Sequence, residues 1–361
     1  MNDGFITVIP ENITEKALAV TSVKLNPAGS VLIAMYGATI GKVGILTFPA
    51  TTNQACCACS EFNGVTNKYL FYFLISHKEA FIQRGGGGAQ PNISKEIIIN
   101  TPIPIPPEKE QERIVNAIDK WLNLISQVEK AEQDLKIGID TCKAKVLDLA
   151  IHGKLVSQDP EDEPAIELLK RINPVFTPSD NLHYEGAIPT GWTCGTYGML
   201  NQHKNRSINP MDSPQNNFEL YSVPIYDTGK PEYLTGKEIG STKQSVERGD
   251  VLLCKINPHL NRAWVVEHYK PELKCIASSE WLIFKSDGLY PEYARLFFMS
   301  PSFRSLMLSN VSGVGGSLMR ARASAVDGYT IWIPPYNEQI RIVTAVKAYY
   351  KVLDEIVVGL N

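Results

Sequence analysis

The chain has 361 residues, 44% of them hydrophobic and 20% charged, with a formal net charge of −3, which is enough chain for two domains that each bury a core. No apolar run reaches the roughly 18 residues that cross a bilayer, and no basic segment followed by an apolar one opens the chain. Neither a spanning helix nor a secretory signal is expected, and a cytoplasmic protein without membrane contact is the expectation. The seven cysteines are odd in number. Even "CCAC" at 56–59 has no second Cys or His pair at ligand spacing, so reduced structural thiols and no metal site are predicted.

In chain order, "SVLIAMY" (30–36) and "VGILTF" (43–48) read as strands and "NKYLFYFLIS" (67–76) as a helix. A glycine loop at 85–88 precedes "IPIPPEKEQERIV" (103–115). Behind the Pro-Pro pair, Ile114, Ile118, Trp121, Ile125, Val128, Leu135, Ile139, Cys142, Val146 and Leu149 alternate steps of four and three, with Glu132 the only polar residue on the seam. That period predicts a coiled-coil helix over about 108–152, roughly 65 Å long. "HGKLVSQDPEDEPAIELLKRI" (152–172) ends it at Gly153, crosses an acidic turn and starts a short amphipathic helix at Pro164. Residues 173–186, rich in Pro, Ser and Asn, read as a linker. A second globular unit over 187–335 holds strands such as "DVLLCKI" (250–256) and "AWVVEHY" (263–269). "IWIPPYNEQIRIV" (331–343) then opens a last helix with the seam Ile342, Val346, Tyr349, Leu353, Ile356 and Leu360.

The chain is a tandem repeat. Gly85, Gly87 and Gly88 fall on Gly313, Gly315 and Gly316, Pro106-Pro107 on Pro334-Pro335, and Glu110-Gln111 on Glu338-Gln339, all 228 positions apart. Upstream the offset shrinks to 224 for "NKYLFYFLIS" against "PEYARLFFMS" and to 220 for "GSVLIAM" against "GDVLLCK", as loop insertions require. The predicted fold is α+β: two similar mixed α/β units joined by long helices that pair as an antiparallel coiled coil, with the units at opposite ends of the rod. The domains expected are 1–107, a helical spacer over 108–172, a linker over 173–186, a second unit over 187–335, and a short final helix over 336–361. Roughly 60 residues precede "GDVLL" in the second unit but only 28 precede "GSVLI" in the first. The first unit is therefore expected to lack its opening strands, and the last helix to be about half the length of its partner.

Charge sits on the connector. Residues 1–107 carry 7 Lys+Arg against 6 Asp+Glu, 187–335 carry 15 against 13, and 108–170 carry 9 against 14. The globular units are only mildly basic, a poor match to a protein that grips nucleic acid unaided. Enzymatic readings fare worse. "GATIGKV" has glycines one residue too close for a phosphate loop, and Val43 stands where Ser or Thr would bind magnesium. "IPPY" at 333–336 lacks the leading Asn or Asp of an amino-methyltransferase motif, and "PELK" (271–274) is an isolated fragment of a nuclease pattern. No catalytic residues are predicted.

The doubled "PP…EQ.RIV" with heptads behind it, "GATIGKVGIL…TTNQA" (37–55) and, above all, residues 152–172 resemble the DNA-specificity subunit of type I restriction–modification systems. The resemblance covers essentially the whole chain. It implies two target recognition domains, each reading half of a bipartite site on double-stranded DNA, and two helices that act as a ruler. It also implies that the helices dock two methyltransferase (modification) subunits, with restriction subunits joining the larger complex. S-adenosylmethionine, ATP and Mg2+ are then expected on those partners and no cofactor on this chain.

Reading two different half-sites requires the twin loops to differ. After the glycine loop, Asn92 aligns with Arg320 and Ser94 with Arg322; Asn pairs with adenine and Arg with guanine in the major groove. Arg84 and Gln90, beside the first glycine loop, join the candidates. "QHKNRSINP" (202–210) adds Lys204 and Arg206, and "KINPHLNRAW" (255–264) adds Lys255, Asn257, His259, Asn261 and Arg262. Strand register makes Tyr36, Thr39 and Lys42 the first unit's counterparts of the latter. For any one of them a phosphate contact is expected before a base contact. A different class of function stays open, an assembly module that does not read DNA and acts through its coiled coil, self-associating through unpaired heptads.

Overall fold

The computed structural model describes residues 1–359 apart from 60–61, 86–91, 181–182, 185 and 313–318. The chain divides into two compact units, Met1–Ala131 and Glu132–Asn361. In the first, β1 (Gly4–Ile6), β2 (Val31–Ala34), β3 (Val43–Leu46) and β4 (Cys56–Cys59) form a sheet in the order β1-β3-β2-β4. The β1–β3 pair is parallel, and β2 runs antiparallel to both β3 and β4. Val31 and Ile33 on one face of β2 meet the helix α1 (Asn67–Ser76) through Leu70, Phe71 and Leu74, while Leu32 on the other face packs with Leu46 and Ala50. Covered on both faces, β2 is a continuous apolar run. The Thr66 hydroxyl caps α1 by accepting from the Tyr69 N–H. Beyond it come α2 (Lys78–Arg84), α3 (Lys95–Ile99) and the 44-residue α4 (Glu108–Ile151), of which 108–131 belongs to this unit.

The second unit begins with the remainder of α4 and α5 (Ala165–Ile172), then β5 (Thr193–Thr196), β6 (Ser207–Ile208), β7 (Asn217–Tyr221), β8 (Glu232–Thr235) and β9 (Lys243–Ser245). After them follow β10 (Val251–Cys254), β11 (Ala263–Val265), β12 (Lys274–Ala277) and β13 (Trp281–Phe284), and then α6 (Pro291–Met299), α7 (Pro301–Ser309), α8 (Ala323–Val326), β14 (Thr330–Ile333) and α9 (Tyr336–Val358). Its sheets run β8-β7-β12-β9-β6, β11-β10-β13 and β14-β5. The β11-β10-β13 sheet repeats β3-β2-β4, with the central strand antiparallel to both neighbours in each unit. The stretch 173–186, read from sequence as a linker, lays Phe176 and Tyr184 into the main core, which also holds Trp332, Tyr293, Phe297 and Phe303.

The repeated Pro-Pro-x-x-Glu-Gln segment is one joint built twice. Gln111, fully buried, accepts from the Thr66 N–H (2.9 Å) and donates to the carbonyls of Gly64 (2.7 Å) and Pro106 (2.9 Å). Gln339, equally buried, accepts from the Tyr290 N–H (2.6 Å) and donates to Gly288 (3.1 Å) and Pro334 (3.0 Å). Above each clamp a tyrosine hydroxyl donates to the chain entering the joint, Tyr69 to Pro104 and Tyr293 to Trp332. The prolines fix φ where the helix starts, directly after β14 in the second unit. The glutamine satisfies backbone groups that neither element can pair.

Within the second unit, the end of α4 lies antiparallel on α9. Leu147, Ala150 and Ile151 share a core with Ile342, Val343 and Val346, Lys143 Nζ meets Asp354 Oδ1 at 2.5 Å, and the Tyr350 hydroxyl donates to the Lys143 carbonyl. Gly153 ends α4 with φ +65, where a Cβ would stand 2.7 Å from Pro189 Cγ. Of the residues on the predicted seam, Ile139, Ile342 and Val346 are buried and Ile114, Ile118 and Leu353 half-buried, whereas Trp121, Ile125, Val128, Leu135, Tyr349 and Ile356 are exposed. The pairing thus runs along part of the apolar stripe only. Leu360 lies outside the described residues, and none of the described helices is long and apolar enough to cross a membrane.

Candidate nucleic-acid interface

In the first unit the turn between β2 and β3 is closed by Gly37 (φ +83) and Gly41 (φ +72), conformations open to glycine at little cost. It carries Tyr36 and Lys42 half-buried and Thr39 exposed. The Met35 carbonyl accepts from the Ile93 N–H at 2.7 Å, bringing exposed Asn92 beside this turn. Ser94 is occupied locally, since its hydroxyl caps α3 by accepting from the Ile97 N–H. Arg84 is exposed in the last turn of α2. Gln90 and the glycines at 86–88, like those at 313–316, lie outside the described residues.

The second unit repeats this arrangement with different side chains. The Lys255 carbonyl accepts from the Ala321 N–H (2.8 Å) and the Met319 carbonyl from the Asn257 N–H (2.7 Å), so 255–257 and 319–321 run side by side as 35 and 93 do in the first unit. Asn257 and Asn261 bracket one 3-10 turn, both left-handed at φ 48 and φ 51. Asparagine tolerates this region better than most residues, and the Asn261 amide also donates to the Met299 carbonyl at 2.7 Å. Asn261 thus shapes the loop. Exposed His259 stands at its tip, its carbonyl accepting from the Arg304 guanidinium, and the Arg262 guanidinium lies 5.9 Å from the centre of the Tyr226 ring.

Arg320 makes a two-pronged ion pair with Glu280, at 2.8 and 3.3 Å, and the Lys255 ammonium donates to the Ser279 carbonyl. Such pairing positions Arg320 but also neutralises it; reaching a base means leaving Glu280. Arg322 is exposed at the start of α8. Lys204 and Arg206 belong to another hollow, which they line with Lys285, Glu247, Asp250 and Asp287. Its three acids make it a poor seat for phosphate. There burial pushes the His203 imidazole down and the Asp250 carboxyl up. Sequence reasoning missed Glu280 and Arg304. Each acts through a fold contact with a loop far away in sequence, and no local pattern announces such a pair.

Among the described residues one cluster has metal-ligand chemistry: Glu219, His268 and Cys275 place ligand atoms within 4.8 Å of one another. Glu219 already has partners. Its buried carboxylate accepts from the N–H groups of Tyr269 and Lys270 and from the Tyr221 hydroxyl, with His268 Nδ1 at 3.3 Å. It anchors the turn after β11, and burial raises the Cys275 thiol, which disfavours the thiolate a metal would require.

Two α+β frames, each handing over to a heptad helix through the same glutamine clamp and each presenting a different loop, define a tandem repeat of α+β units on helical supports. Residues 1–136 match the family model of the type I restriction modification DNA specificity domain. The chain is 25% identical to the EcoEI specificity subunit of Escherichia coli over 343 residues, 75% of this chain and 57% of that protein. It is 23% identical to the EcoKI specificity subunit of the same species (strain K12), over 99% of this chain and 74% of that one. A solved chain from a study of type I R-M complex assembly and conformational transition shares the fold, with a TM-score of 0.60 at 16% identity over 94% of this chain and 81% of that one. The chain is thus similar to type I specificity subunits, and the match to their DNA specificity domain lies over residues 1–136. It spans little more than half the length of the EcoEI subunit.

Proposed function

We propose that the chain is the DNA sequence-recognition subunit of a type I restriction–modification complex. Each unit reads one half of a bipartite site, and the helices dock two methyltransferase subunits with restriction subunits joining them in the cytoplasm. The observation that carries this reading is that one frame presents different donors at one structural position, Asn92 in the first unit and Arg320, with Arg322 two residues on, in the second. Asparagine and arginine make distinct bidentate contacts to adenine and guanine. The chain contributes no chemistry of its own in this role; S-adenosylmethionine, ATP and Mg2+ belong to the partner subunits.

The test is co-expression with a type I methyltransferase subunit and single-molecule sequencing of host DNA for methylated adenines. A bipartite, asymmetric motif is expected, and Arg320→Ala with Arg322→Ala should change one half of it and leave the other intact. A stable complex without methylation, or a motif indifferent to both substitutions, overturns the reading of these loops.

A further inference from the structure

Each unit sets two residues on either side of one backbone position through the same pair of hydrogen bonds. In the second unit the Lys255 N–H donates to the Glu280 carbonyl (3.0 Å), and the Lys255 carbonyl accepts from the Ala321 N–H (2.8 Å). In the first unit the Met35 N–H donates to the Ala55 carbonyl (2.7 Å), and the Met35 carbonyl accepts from the Ile93 N–H (2.7 Å). Strand register agrees, since Cys254 pairs with Trp281 as Ala34 pairs with Cys56. Glu280 is therefore the counterpart of Ala55, as Arg320 is of Asn92. Of these two positions, the acid stands in the unit that has the arginine, where the two form a two-pronged ion pair, and alanine stands in the unit that has the asparagine. The side chains of Arg320 and Glu280 are 50% and 25% exposed. A pair so open to solvent contributes little to stability, so folding gives a weak reason for it.

We infer that the two positions act together and that each unit uses them to read both bases of one base pair: Arg320 with Glu280 a G·C pair, and Asn92 with Ala55 an A·T pair. The inference rests on the DNA-reading role proposed above and deepens it by adding Glu280 and Ala55 as specificity-determining residues. In the major groove guanine offers two acceptors, N7 and O6, and the cytosine opposite offers its N4 amino donor. Arg320 supplies the donors. When it leaves Glu280 for guanine, the freed carboxylate accepts from cytosine N4. A phosphate in place of guanine would meet the freed carboxylate as a like charge, so the acid also turns Arg320 away from the DNA backbone. Adenine offers N7 and N6, which one amide matches, and the thymine opposite offers a methyl group open to apolar contact. Asn92, exposed, supplies the amide, and Ala55, half-buried, supplies the methyl. Both side chains are short, so the duplex approaches the backbone of the first unit more closely than that of the second.

The experiment co-expresses the full chain with a type I methyltransferase subunit, maps the methylated motif, and then measures binding of the purified complex to duplexes carrying that motif. One half is expected to hold a G·C pair that Arg320→Ala and Glu280→Ala relax at the same position. A G·T mismatch there keeps guanine and replaces the cytosine amino group with a thymine carbonyl. The wild-type complex should bind that duplex about tenfold more weakly than the G·C duplex, and Glu280→Ala should bind the two alike. A glutamate that only positions Arg320 leaves the ratio between the duplexes unchanged. In the first unit, Asn92→Arg combined with Ala55→Glu should convert one A·T pair of the other half into G·C, a gain that a misfolded unit cannot give. Relaxation by Arg320→Ala without relaxation by Glu280→Ala overturns the inference and leaves DNA reading standing. So does a mismatch ratio that Glu280→Ala does not move, and so does a first unit that still selects A·T after the double substitution. A wild-type complex that yields no motif overturns the DNA-reading role itself, and this inference with it.

Discussion

At the scale of single residues, the joint of the second unit is closed by a half-buried acid with a covered side chain. Asp162 is 5% exposed and its carboxyl is held below the ordinary aspartate value by the hydrogen bond from Arg341. The unfolded chain therefore takes up the proton first, at about pH 3.9. Stabilisation from this pair is fully present above that value and is lost as pH falls through the lower folded value. Denaturant unfolding of the wild type and of Asp162→Asn, compared at neutral pH and again near pH 3, should show a difference that shrinks on acidification. A difference that stays constant or grows rules out the ion pair as its source. Nothing in "DPEDEP" says which of its acids turns inward. The local pattern gives an acidic turn, and only the returning α9 selects Asp162.

At the scale of elements, the period of α4 was legible and its partner was not. Steps of four and three state that one face of a helix is apolar, and Gly153 and the Pro-Pro pair mark its ends, so both the stripe and the length of the helix could be read from residues alone. What covers the stripe depends on where the chain comes back, and α9 returns against 139–151 while Trp121, Ile125 and Val128 remain exposed. The loops behave alike. Asn257 and Asn261 read as DNA contacts because asparagine offers both donor and acceptor, yet their left-handed backbones give the same residue type a conformational reason to be there. Mutational cost should follow burial and not heptad position. Ile342→Ala, which opens a cavity in the paired region, should destabilise by about 2–5 kcal/mol. Ile125→Ala, on the same predicted seam but 51% exposed, should stay within about 0.5 kcal/mol. Equal losses at the two positions in urea unfolding would mean that the stripe is covered along its whole length.

At the scale of the molecule, two cores assembled from separate residues should not melt as one. The first unit holds Val31, Ile33, Val43, Ile45, Leu70, Phe71, Leu74 and Phe81 around one sheet. The second surrounds Trp332 with Tyr293, Phe297, Phe298 and Phe303 and adds two further clusters. The second unit buries the more apolar residues, and a chain of two such units departs from two-state behaviour. Calorimetry should then resolve two transitions, and the duplicated clamp provides a matched pair of probes to assign them. Gln111→Ala strands the Thr66 N–H and the carbonyls of Gly64 and Pro106, a loss of about 2–4 kcal/mol. In a unit of this size that lowers the first transition by roughly 10 °C and leaves the second in place. Gln339→Ala removes the equivalent bonds to Tyr290, Gly288 and Pro334 and should move the second transition alone. If either substitution shifts a single shared transition, the repeat has been fused into one cooperative body, and α4 transmits stability from one unit to the other.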